Sequence, residues 1–214
     1  MTFSIRWRGV AASVFLVVSV LWFGGACVAQ ARADEPPLTA VQLGVQRTLK
    51  LLEEVPIHET DKGEPEWPRH ARMTRKAVAI NDATRDHGEQ WIDPDARAAL
   101  ITLARYESHL ALYVYENRCA DGPRGKYECD SGKAKGIFQI HANRDWPEIP
   151  DDVETQAIIA AKLWRGHYYR CARSMPEADR VAAAFAAYGS GGTCAVSEWA
   201  ETRAHYWRGI RARL

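Results

Sequence analysis

The feature that most restricts this chain is an apolar stripe with an acid in it. From about Pro94 to Val114, the residues Leu100, Leu103, Leu110 and Val114 recur at helical spacing, with Ala104 and Ala111 beside them. At roughly 100° per residue they share one face of a helix. Glu107 falls at the centre of that face. Such a face must be buried against other elements, which calls for a core of several helices around residues 94–114. Burial is costly for an ionised carboxylate unless it is paired or its pKa is raised. A raised pKa is also what a general acid needs near neutral pH. Glu107 is therefore either a structural anomaly or a functional acid.

The neighbouring segments are helical in pattern too. Leu38 to Glu54 places Val41, Val45, Thr48 and Leu52 on one face and stops before Pro56. Residues 56–68 have the composition of a loop. Arg69 to Asn81 turns Met73, Ala77 and Ile80 inward and leaves Arg69, Arg72, Arg75 and Lys76 as a basic face, solvated or else turned toward an anionic polymer. Asp93 and Pro94 suit the N-cap and first position of the Glu107 helix. Asn117 to Lys135, rich in Gly, Asp and Cys, reads as non-helical. Asp151-Asp152 cap a helix to about Arg170 with Ile158, Ile159 and Leu163 as its core. Glu177 to Tyr188 carries Val181, Ala184, Phe185 and Tyr188 inward and ends at Gly189-Ser190-Gly191-Gly192. Ser197 to about Arg211 closes the chain, burying Trp199, Trp207 and Ile210. The expected class is all-α, with at most a short β-hairpin in the 117–140 region.

The first 33 residues read as an address. Arg6 and Arg8 precede an uncharged run from Val10 to Ala29, and Ala31-Arg32-Ala33 offers a small-x-small exit. That order is a secretory signal peptide. The run is about 20 residues, also long enough to span a bilayer, so a retained membrane tether is the alternative to cleavage. Cys27 is expected to leave with the signal; Gly24 before it makes a poor lipoprotein site. Removing the three arginines of this segment from the 28 basic residues leaves 25 against 27 acids. A net charge near −2 argues against nucleic acid as a partner. Cys119, Cys129, Cys171 and Cys194 remain, an even count that reads as two disulfides in an exported chain. Of three connectivities, Cys119–Cys129 with Cys171–Cys194 is expected: the first closes a glycine-rich loop and the second ties two helices. No Cys-x-x-Cys or histidine pair supports zinc, and neither a metal nor a cofactor is expected.

Three short segments carry the chemistry: Tyr106-Glu107-Ser108-His109, then Gly136-Ile137-Phe138-Gln139-Ile140, then Ala186-Ala187-Tyr188-Gly189. In that order and spacing they resemble the lysozyme-like lytic transglycosylases, whose usual forms are Glu-Ser, Gly-Leu-Met-Gln and Ala-Tyr-Asn-x-Gly. Goose-type lysozymes share the same core. The resemblance covers roughly residues 95–195. It implies a lysozyme-like domain over 93–214, behind a helical extension over 34–92, acting as a monomer on peptidoglycan strands. Glu107 would protonate the oxygen between N-acetylmuramic acid and N-acetylglucosamine. The same group would then take the proton of the sugar's 6-hydroxyl, giving a 1,6-anhydro product without the second carboxylate of most glycosidases. Tyr188 matches the tyrosine that holds the glutamate, and Gln139 and Ile140 match the segment lining the sugar cleft. Ser108 is either a site residue or a plain helix-surface serine.

Two positions depart from the pattern. Gly189 stands where the family has asparagine, so any contact of that side chain to the substrate's N-acetyl group is missing or supplied elsewhere. His141 stands where goose-type lysozymes carry aspartate. Asp121 and Asp130 are either turn residues or positioners of a water. Tyr113, Tyr115, Tyr127 and Trp146 are candidate sugar-stacking platforms. Hydrolysis of the same bond is a competing outcome, and a non-catalytic wall-binding protein is another. In a third reading, a disulfide-stapled interaction domain, Glu107 is an ion-paired core residue, with Arg105 or Arg118 as partner. Arg105 points about 160° away on the same helix.

Overall fold

Thr39 opens the first helix, accepting a hydrogen bond from the Gln42 amide while the Gln42 side chain bonds back to Thr39 N–H. This reciprocal cap satisfies two donors that a helix start leaves unpaired. The computed structural model describes residues 38–85, 93–119, 122, 129 and 133–214. The expected signal segment with Cys27, and Asp121, Tyr127 and Asp130, lie outside the described residues. The elements are α1 (Ala40–Glu53), α2 (Glu66–Ala83), α3 (Pro94–Ser108), α4 (Leu112–Tyr115), a hairpin of β1 (Ala134–Lys135) and β2 (Ile140–His141), α5 (Val153–Cys171), α6 (Arg180–Gly189) and α7 (Glu198–Arg211). The protein is all-α with one minor antiparallel hairpin, in the register Ala134 to His141 and Lys135 to Ile140. No helix among the described residues is long and apolar enough to cross a membrane.

α3 is the axis of the fold. Asp93 caps it through the Asp95 and Ala96 amides, with Pro94 at its first turn. Every residue from Ala96 to Ala104 is buried, Arg97 and Thr102 included, so the helix is covered all round rather than along one stripe. α1, α2, α5 and α7 pack on it. The core they share joins Leu52, Met73, Ile80, Leu100, Ile159, Phe185 and Ile210. Residues 38–214 form one compact unit, to which the N-terminal extension contributes α1 and α2.

The helix foreseen over Pro94–Val114 stops at Ser108, and Leu110 and Val114 belong to the break and to α4. His109 and Leu110 both adopt left-handed backbone, φ 50° and 58°, a conformation that costs a non-glycine residue about 1–3 kcal/mol. The break is held by groups from α2 and the turn before it. Arg72 Nη1 and Lys76 Nζ donate to the Leu110 carbonyl at 2.6 and 3.1 Å. The Asp61 carboxylate accepts the Leu112 N–H at 2.9 Å. Arg72 also pairs with Glu64 and Asp61. Arg72 and Lys76 are thus buried, not part of a solvated face. Burial pushes the Lys76 amine well down, and the neighbouring Arg72 adds to it.

Two helices are rotated from their expected faces. In α5, Ile159 is buried but Ile158 is 40% exposed, and Ala157, Ala160, Ala161 and Trp164 make the core instead. In α7, Ala200, Ala204 and Ile210 are buried while Trp199 is exposed on one side. Small alanines let the helices approach closely, so the larger residues beside them are displaced outward. Disulfides join Cys119 to Cys129 and Cys171 to Cys194, with Cα separations of 5.9 and 5.6 Å. The second ties the end of α5 to the connection between α6 and α7 rather than to a second helix, and packs on Ala183 and Ala187.

Candidate active site

Because α3 ends one residue after Glu107, the carboxylate lies at the mouth of the break instead of in the core. Its side chain is 18% exposed and faces a cavity of about 290 Å³ lined also by Tyr106, His109, Gln139, His141 and Tyr188. A second cavity of about 410 Å³, reaching Asn143 and His167, shares Gln139, His141, Tyr188 and Gly189 with the first. The two make a groove that runs past Glu107. Glu107 is the one carboxylate among the described residues lining either cavity.

The partner of Glu107 was not foreseen. Arg203 of α7 donates from Nη2 to Glu107 Oε1 at 3.1 Å, with only 16% of the arginine side chain exposed. The acid of the stripe is thus paired, and by Arg203 rather than by the Arg105 or Arg118 of the ion-paired reading. Arg105 and Arg118 are engaged elsewhere: Arg105 lies 4.1 Å from the Tyr206 ring centre and Arg118 pairs with Glu116. The pairing crosses 96 residues of sequence, and no local spacing signals it.

Gln139 and Tyr188 reach the same place from the hairpin turn and from α6. Gln139 sits at φ 48° between the buried Phe138 and Ile140. Its Nε2 donates to its own turn at the Gly136 carbonyl, 2.9 Å, and to Cys129 Sγ at 3.5 Å. The Cys119–Cys129 disulfide thereby forms part of the wall. Ile140 is buried behind the second cavity. Tyr188 donates its hydroxyl to the Phe138 carbonyl at 2.9 Å and lines the same cavity as Glu107. Burial first, and then the negative charge of Glu107, hold the Tyr188 phenol well above its ordinary value. It is a neutral donor that couples the α6 end to the hairpin.

Ser108 is buried, not on the helix surface. Its hydroxyl donates to Ala104 and accepts the Leu110 N–H, closing α3. Gly189 is the last residue of α6, and a Cβ built there would lie 2.7 Å from Trp199 Cη2. The ring of Trp199 thus occupies the space that an asparagine side chain would need. His141 is exposed on β2 and borders both cavities. Among the stacking candidates, Tyr113 lines the first cavity. Tyr115 instead lies under Lys76 and Trp146 beside Lys162. Tyr106 and His109, flanking Glu107 in sequence, line the first cavity as well. Burial, then His58, Arg105 and Arg203, push the His109 imidazole down. No group of His, Cys, Asp or Glu suited to a metal occurs among the described residues.

No family, no curated protein and no solved structure matches this chain. What the fold and site define is a class: an all-α protein with a groove whose single described carboxylate is held at a broken helix end.

Proposed function

We propose that the protein is an exported enzyme that cleaves the β-1,4 bond between N-acetylmuramic acid and N-acetylglucosamine in peptidoglycan. The observation that carries this reading is convergence. Glu107, Gln139 and Tyr188, drawn from three segments far apart in sequence, line one cavity. Glu107 is its acid. In the proposed reaction Glu107 gives its proton to the leaving oxygen as the C1–O4 bond breaks. The carboxylate so formed takes the proton of the 6-hydroxyl as O6 closes on C1, giving the 1,6-anhydro sugar. One carboxyl group serves both transfers, which fits a groove with one described carboxylate. Gln139 and the hairpin turn border the glycan path, and Tyr188 fixes the α6 end against that turn.

The ion pair with Arg203 favours a second reading. A partly buried carboxylate held by an arginine is also what a structural contact looks like, as in a wall-binding protein without chemistry. Digestion of purified sacculi with residues 34–214 separates the outcomes by mass spectrometry of the released sugar ends. Anhydro ends support the transglycosylase and reducing ends a hydrolase. If neither is released by the native protein or by Glu107→Gln, the enzyme reading fails. N-terminal sequencing of the protein recovered from the cell envelope tests export, with Asp34 expected as the first residue.

A further inference from the structure

Arg203 is held in place by more than its carboxylate. Its guanidinium carbon lies 5.0 Å from the Tyr106 ring centre and 4.4 Å from that of Trp199, so it rests between two aromatic faces. Nη1 reaches the Trp199 carbonyl at a weak 3.5 Å, and the buried Nε finds no hydrogen-bond partner among the described residues. A planar guanidinium suits such stacking in a way that an ammonium does not. Trp199 is in turn seated against Gly189, where any larger residue would push it. Gly189, Trp199, Arg203 and Glu107 thus form one continuous train from the end of α6, through α7, to the end of α3.

We infer that Arg203 is a positioning residue for Glu107, seated by Trp199 in the space left by Gly189. The inference rests on the catalytic reading above. Arg203 fixes the direction of the carboxylate and stabilises the charged form that exists between the two proton transfers. The consequence is a restricted pH range, because the acid must first be protonated and Arg203 opposes that. Among the described residues, the other titratable or charged groups around this cavity are Tyr106 and His109 at the α3 end, with His58 and Arg105 beside them. Tyr113 comes from α4, His141 from β2, Tyr188 from α6, and Tyr206 stands beside Tyr106 on α7.

The test is the titration of the Glu107 carboxyl carbon by NMR in protein labelled with ¹³C-glutamate, the signal being assigned by its loss in Glu107→Gln. Arg203→Gln is expected to move its midpoint upward by about one pH unit or more and to carry the alkaline limb of sacculus digestion the same way. Arg203→Lys keeps the charge but not the stacked fork, so its midpoint stays near the native one while kcat falls at constant KM. Gly189→Ala, which displaces Trp199 and leaves Arg203 in the chain, is expected to shift the midpoint in the same direction as Arg203→Gln. It serves if that variant does not fold. An unchanged midpoint in a folded Arg203→Gln or Gly189→Ala protein overturns the inference. A shifted midpoint in a protein that releases no sugar ends at all overturns the enzyme reading instead and leaves the pairing intact.

Discussion

Gly136 heads the hairpin turn that carries Gln139, and replacing it with alanine should be among the most damaging single-methyl changes in the protein. Two effects add. The residue lies at φ +66°, where a Cβ costs about 1–2 kcal/mol. A Cβ there would also lie 1.7 Å from Gln156 Oε1. The Gln156 side chain is buried and donates Nε2 to the Pro150 carbonyl at 2.9 Å, so it has nowhere to go without breaking that bond. Leaving a buried amide unsatisfied costs about 1–3 kcal/mol more. Roughly 0.4–1 kcal/mol returns through the stiffer unfolded chain. Gly191 is the matched control, at φ +70° with nothing within 4 Å of its Cβ position. Urea unfolding followed by circular dichroism, with equal m-values, should place Gly136→Ala about 1–3 kcal/mol below Gly191→Ala. Adding Gln156→Ala to Gly136→Ala should recover part of the loss. Equal destabilisation of the two alanine variants would refute the steric argument and leave only the backbone term.

Other outcomes follow from the same contacts. Glu107→Gln keeps an oxygen for Arg203 to bond, so its melting temperature should stay close to native while sacculus digestion falls by about 10²–10⁴-fold. The amine of Lys76 is held well below its ordinary value by burial and then by Arg72. Between its folded and unfolded values the unfolded chain binds the extra proton, so stability should rise with pH through that window and level off above the unfolded value. In Lys76→Met this contribution to the urea midpoint should vanish. Replacing both Cys171 and Cys194, whose sequence separation is 23, should cost about 3 kcal/mol of stability on the chain-entropy account, read from the same unfolding curves.

The helices were legible because each carries enough apolar residues at helical spacing to require a buried face, and because Thr39, Asp93 and Asp152 cap their ends with short-range chemistry. Faces were less legible where alanine is dense. In α5 the stretch Ile158, Ile159, Ala160, Ala161 permits more than one inward direction, and the neighbours α2 and α6 chose the one that exposes Ile158. The apolar positions Leu110 and Val114 continue the α3 pattern in register, so nothing in their spacing reveals that the helix stops at Ser108. The stop depends on Asp61, which accepts the Leu112 N–H, and on Arg72 and Lys76, whose charges fit a solvated surface until the Leu110 carbonyl gives them a buried acceptor.

Sequence by itself determined the helical class, the approximate helices, and the three motif residues that line one cavity; which cysteines pair was decided by the fold. The first three follow from periodicity, from capping and from motif order, all of which are written locally. Only the tertiary structure decided what surrounds Glu107. The left-handed break at His109–Leu110 turns the acid from the core toward a groove, and α7 brings Arg203 to it across 96 positions. Trp199 fills the place of a side chain that Gly189 lacks. Such contacts are set by how helices pack, and the charge environment of a carboxylate is set by whichever distant residue that packing delivers.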